Sequence, residues 1–328
     1  MIIPGPKPSK SSPGAARLLK PAAKLISTIV ISVAVSSPVA SAHAQRQTTA
    51  TDTVGVLLVA HGAGPDWNSQ VIEVAAQVDH SGPLAVSFLM GPGAAQTTFQ
   101  TAVTQLEQRG AKVIVVVPIL ISSYSGHFQQ IEYLAGRRQK LDDTMAHHLM
   151  MAGIRRPTAQ VPLLLTPAID DAAEIGQAIA RRALELAADP AEQALFIIGH
   201  GPETALDYAR WMANLRSIKG SVATATRFQN VLIDLLRDDA PTDVRGEAVL
   251  RIRELIELQY ALTGKPVVVV PVMVATGTIT RAKIPDDLKG LPISYNGTAL
   301  LPDSAVARWI ERRVQEALEP TSSQGKRK

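Results

Sequence analysis

The chain of 328 residues is long enough for about two domains, and 46% hydrophobic against 19% charged residues supplies ample core. It contains no cysteine, which excludes disulfide scaffolds, thiolate metal sites and a cysteine nucleophile. Aromatics at 4% argue against stacking platforms for single-stranded nucleic acid. The net charge of +4 is concentrated at the start, where residues 1–44 carry five cations and no acid. The remaining chain has 28 basic against 29 acidic side chains, so no nucleic-acid partner is implied.

Residues 1–44 read as a secretory signal. Lys7, Lys10, Arg17, Lys20 and Lys24 precede an apolar run from Leu25 to Val35, and Ala40-Ser-Ala42 has the form of a cleavage site. The run is shorter than the ~18–20 residues of a membrane span, which leaves an uncleaved membrane anchor as the competing reading behind the cleaved signal. A short linker, 45–52, would follow. The expectation is a periplasmic or secreted protein with no membrane attachment after cleavage.

From Thr53 onward, short apolar runs alternate with helical patterns. Strands are expected at Val54–Ala60, Leu84–Leu89, Lys112–Ile121 and Val161–Leu165. Helices are expected from Asn68 to Asp79, Thr97 to Gln108, from Gln129, around Asp142–Met151 and over Asp170–Ala187. The β-branched run Val113-Ile-Val-Val-Val117 suits a strand covered on both faces. Strand–helix alternation of this kind predicts an α/β fold with a parallel sheet and helices on both faces.

The second half repeats the order. Ala194–Ile198 runs into Gly199-His200-Gly201 as the first strand runs into His61-Gly62. Val267–Pro271 echoes Val115–Pro118. The spacing from histidine to Val-Pro is 57 residues in the first half and 71 in the second, with the extra residues expected around Arg237–Leu258. The reading is two tandem Rossmann-like domains, 53–188 and 189–320, before a polar tail at 321–328.

Ligands of open parallel sheets bind beyond the carboxyl ends of the strands. His61 ends the first strand, and His127 follows the third in the polar loop Ser122-Ser-Tyr-Ser-Gly126. Neutral imidazoles there suit borderline divalent metals, and two ligands leave positions open for handing a metal on. The plainer alternative is that each histidine caps a turn. His147 and His148 read as solvated surface on an amphipathic helix, and His80 sits in a turn. A serine hydrolase using Ser122, Ser123 or Ser125 with His127 is a weaker option, because no nucleophile-elbow motif is present. No phosphate loop occurs, so no nucleotide is implied.

The run Val56-Leu-Leu-Val-Ala-His61-Gly62, the segment Ala85–Leu89, the strand Gly110–Pro118 and the Ser-Gly126-His127 loop together resemble class II chelatases of the CbiX type. The resemblance covers about residues 54–187, and the duplication resembles the long members of that family. It implies a lyase of the sirohydrochlorin cobaltochelatase or ferrochelatase type. His61 and His127 would hold the metal, and one would take up a pyrrole proton. The metal would be Co²⁺ foremost, with Fe²⁺ or Ni²⁺ as alternatives, and the partner a tetrapyrrole lying between the two domains. Arg137, Arg138 and Lys140 would meet the substrate carboxylates.

Two departures accompany the resemblance. The family's glutamate after the second strand is replaced in Phe88-Leu89-Met90, and the loop after Pro271 offers Thr280 but no histidine. The second half is therefore expected to have no metal site of its own and to serve as a cleft wall. A non-catalytic metal or tetrapyrrole carrier of the periplasm is the alternative function. One chain already supplies both halves of a cleft, so a monomer is expected.

Overall fold

The computed structural model describes residues 53–319; the expected signal, linker and tail lie outside the described residues. The first sheet is wholly parallel. β1 (Val54–Ala60) lies between β2 (Leu84–Phe88) and β3 (Val113–Ile119), and β4 (Leu163–Leu165) flanks β3. Leu57 faces Ala85 on one side and Val116 on the other. Residues 56–60 and 114–119 are buried, as both-face coverage of a β-branched strand requires. Pro118 is tolerated in β3 because the ladder to β4 has already ended at Val116.

Five helices connect these strands. α1 (Pro65–Ala75) starts on a proline, whose missing N–H is spare in a first turn. α2 (Phe99–Gln108) is capped by Thr98, which accepts from the Thr101 N–H. α3 (Gly126–Leu134) and α4 (Asp143–Met151) begin at the caps Ser125 and Asp142. α5 (Ala173–Leu186) closes the half.

The second half repeats this plan. β5 (Ala194–Gly199) lies between β6 (Asn230–Leu235) and β7 (Val267–Val272), with β8 (Ile293–Ser294) beside β7. α6 (Ala205–Ala225) and α7 (Thr242–Thr263) are the long connections, α8 (Ile284–Asp287) is one turn, and α9 (Ser304–Leu318) ends the fold. Register corrects the expected place of the extra residues. Ala60 faces Phe88 and Ile119, whereas Gly199 faces Leu235 and Val272. Eight of the fourteen extra residues therefore fall in the α6 connection and six in that of α7.

The two halves exchange their last helices. α5 packs on α6 and β7 of the second half, while α9 packs on β3, α1 and α5 of the first. Trp309 and Ile310 of α9 are fully buried in the same core as Val56, Val115, Leu195 and Val270. Alternate residues Ala194, Phe196 and Ile198 face a second core under α7. Arg312 of α9 makes a two-pronged ion pair with Glu174 of α5, at 2.6 and 2.9 Å. Each repeat is thus completed by the other.

Candidate metal centre

The histidine site is built from strand ends. His61 is the residue after β1, and Gly62 turns the chain at φ +85. A Cβ on Gly62 would meet the Met90 carbonyl oxygen at 2.3 Å, so only glycine fits where the loop after β2 crosses. That loop in turn holds the histidine's backbone, because the Met90 N–H donates to the His61 carbonyl at 2.9 Å. The Met90 side chain is half-buried and packs against the core. Where the resembling family carries a glutamate, this chain carries an apolar packing residue.

His127 lies in the first turn of α3 and not in the preceding loop. Ser125 caps the helix by accepting from the Phe128 N–H, so α3 begins three residues before the expected Gln129. One turn further, Gln130 is 1% exposed. Its Nε2 donates to the Met145 carbonyl at 2.9 Å, which turns its Oε1 toward His127 Nδ1, also at 2.9 Å. An amide oxygen only accepts, so Nδ1 carries the proton and Nε2 keeps its lone pair. His61 reaches the same state by another route, with Nδ1 donating to the Gly62 carbonyl at 2.7 Å.

The two rings stand edge to face, their centroids 4.5 Å apart and their planes at 82°. Burial, reinforced by the neighbouring His127 charge, pulls the His61 pKa down to about 4. Burial also holds His127 below the ordinary imidazole value, against the raising effect of Gln130. Both are therefore neutral at pH 7, and both offer Nε2. This favours metal ligation and weakens the expected proton uptake by either ring.

These shifts predict a pH dependence of the metal-free protein. The unfolded chain takes up protons near pH 6.5 that the native state refuses, so stability is present above pH 6.5 and lost as pH falls toward about 4. The His61 part amounts to about 3 kcal/mol at most. Chemical denaturation between pH 7 and 5 should show His61→Gln losing less stability than the wild type. Parallel curves would contradict this.

Both imidazoles line a cavity of about 300 Å³ between the two halves. The first half adds Trp67, whose ring centroid is 6.3 Å from that of His61. The second half adds His200, Asp239 and Trp211, and Trp211 Nε1 donates across the halves to the Tyr124 carbonyl at 2.7 Å. The loop after β7 closes one side. Gln70 of α1 binds the Thr276 backbone twice, at 2.9 and 3.0 Å, and Gly277 leaves room for Trp67. Among the described residues, no three His, Asp or Glu side chains gather closely enough to hold one ion.

Other expected residues lie elsewhere. Arg137 and Arg138 line a separate cleft, where Arg138 pairs with Glu132 at 2.9 Å, and Lys140 is exposed in a third groove. None of the three lines the histidine cavity, because each follows the C-terminus of α3, away from His127 in its first turn. Ser122 accepts from the Tyr124 N–H, Ser123 binds Asp170 at 2.7 Å and Ser125 is a helix cap. His127 is bonded to Gln130, so the serine-hydrolase arrangement is absent from this loop. His147 is exposed as expected, but His148 is only partly so, and its Nδ1 is buried without a partner. His80 Nε2 donates to the Val54 carbonyl and fixes the start of β1. Thr280 is buried and turns its hydroxyl to Gly277.

Two interlocked parallel α/β halves enclose a histidine pair at their strand ends. Residues 55–186 match the CbiX family model. Solved structures agree on the fold. The sirohydrochlorin chelatase SirB from Bacillus subtilis subspecies spizizenii, in complex with cobalt, matches at a TM-score of 0.56 and 17% identity, over 83% of this chain and 98% of that one. SirB from Bacillus subtilis with Fe³⁺ gives 0.56 and 17%, over 81% and 95%. CbiX, the terminal enzyme for biosynthesis of siroheme in denitrifying bacteria, gives 0.50 and 15%, over 81% and 100%. No curated protein matches the sequence. No described helix is long and apolar enough to cross a membrane.

Proposed function

We propose that this chain is a metallochelatase that inserts Co²⁺, or else Fe²⁺ or Ni²⁺, into sirohydrochlorin or a related tetrapyrrole. The observation that carries the reading is the pair of neutral imidazoles, each with its Nε2 lone pair free, on one cavity between the halves. The CbiX match and the chelatase fold support it. His61 and His127 hold the ion as substrate, leaving its other positions to water and then to the pyrrole nitrogens. As the metal passes to the macrocycle, its two bonds to histidine Nε2 break, four metal–nitrogen bonds form, and two of the four ring nitrogens lose their N–H protons. The tetrapyrrole edge enters between the walls carrying Trp67 and Trp211. One chain supplies both walls, so a monomer suffices, and the signal-like sequence of residues 1–44 supports a reaction in the periplasm or outside the cell.

Met90, packed in the core where the family carries a carboxylate, favours a second reading. On that reading the same pair stores or carries metal without turnover. Sirohydrochlorin mixed with Co²⁺ and followed by absorbance separates the two. Insertion faster than the protein-free background is the expected result. A background rate together with one bound Co²⁺ per chain would establish the carrier instead.

A further inference from the structure

His200 repeats the geometry of His61 and meets a different partner. Its Nδ1 donates to the Gly201 carbonyl at 2.9 Å, as that of His61 does to Gly62. Gly201 has φ +84, and a Cβ there would strike the Arg237 N and the Leu235 Cβ, each at 2.9 Å. The imidazole is thereby locked with Nε2 outward. Opposite Nε2, at 3.7 Å, stands the Asp239 carboxylate. A carboxylate accepts and cannot donate to a bare Nε2, so the pair is complete only when Nε2 carries a proton.

The loop after β6 is shaped to present this acid. Arg237 adopts φ 58, a left-handed conformation for a non-glycine residue, and its guanidinium holds the Pro202 and Glu203 carbonyls. Asp238 turns inward and is occupied by Arg245 and Lys283. Asp239 turns the other way, with its side chain 58% exposed and His200 its only ionisable partner among the described residues. Asp239 lies near enough to act electrostatically on His127, and His200 near enough to couple to both His61 and His127. The two groups line the same cavity as the metal pair, yet the four side chains supply no three-ligand set.

We propose that His200, oriented by Asp239, is the proton acceptor for the pyrrole N–H groups, on the wall opposite the metal-holding pair. This rests on the chelatase reading. While His61 and His127 hold the ion their Nε2 lone pairs are engaged, so the two protons need another base. Each pyrrole N–H bond breaks as a nitrogen–metal bond forms, and the proton passes to His200 Nε2. The imidazolium is stabilised by Asp239 and discharges to water at that acid's exposed edge. Two such transfers per metal balance the reaction.

The experiment compares wild type, His200→Ala and Asp239→Asn, with Co²⁺ and sirohydrochlorin as probes. In both variants calorimetry should give an unchanged Co²⁺ affinity. The insertion kcat of His200→Ala should fall ~100-fold, the usual scale for losing a general base. Added imidazole should restore part of that rate, which a merely structural role would not allow. Asp239→Asn, at an exposed position, keeps the fold and should show a smaller loss. A wild-type kcat in both variants, or a loss that imidazole does not relieve, would overturn the assignment. Loss of Co²⁺ affinity in His200→Ala would make His200 a ligand and overturn it too. A wild type without insertion would instead defeat the chelatase reading, and this inference with it.

Discussion

Replacing either His61 or His127 by alanine should remove tight Co²⁺ binding, whereas His200→Ala should keep it. The site is a pair, and one imidazole left alone competes poorly with water for a labile divalent ion. Losses of outer-shell partners already weaken metal affinity by ~10–100-fold, which sets the floor for losing a ligand. The same scale applies to Gln130→Leu. Gln130 fixes the His127 tautomer through a bond that Met145 orients, so its removal frees Nδ1 and Nε2 to exchange roles. The expected ranking of Co²⁺ affinity is wild type and His200→Ala together, then Gln130→Leu, then the two ligand variants. Calorimetry above pH 7 measures it. Binding lost equally in His200→Ala and His61→Ala would mean that the halves share one ion.

The largest effect on stability should come from removing α9. A chain ending at Leu301 loses Val306, Trp309, Ile310 and Val314, all buried in the core that underlies both sheets. At ~1.5–3 kcal/mol for each large apolar side chain, the loss is comparable with the ~5–15 kcal/mol that holds a whole domain. The shortened chain should be unfolded. A fragment of residues 53–188 should fail for the reciprocal reason, since α5 would lose its seat on α6 and β7. Point variants grade the effect. Trp309→Ala should cost ~3–5 kcal/mol in denaturant titrations. Trp309→Phe should cost much less, because the buried indole N–H has no partner and its removal relieves an unsatisfied donor. A cooperative transition in the fragment at wild-type denaturant concentration would contradict the interlocked core.

The central strands were legible because β-branched runs such as Val113–Val117 report burial on both faces without help from the rest of the chain. The His-Gly repeat was legible because duplication places His61 and His200 in the same local frame. What the sequence hid is mostly what comes from across the cleft. Asp239 and Trp211 carry no local pattern that marks a site, and only the docking of the two halves brings them to His61. Gln130 had a local clue, one helical turn after His127, but the start of α3 is masked by a polar stretch with no apolar period. Charge alone marks Arg137 and Arg138 in the sequence, and Arg138 is met by Glu132, six residues earlier. The helix exchange was invisible for a different reason. An amphipathic pattern says that one face of α5 or α9 is buried and does not say against which sheet.

A structure of the protein soaked with Co²⁺ should show one ion bound by Nε2 of His61 and Nε2 of His127, with water completing its shell and His200 Nε2 unligated. An ion held by His200 and Asp239, or none between His61 and His127, would contradict the histidine-pair site.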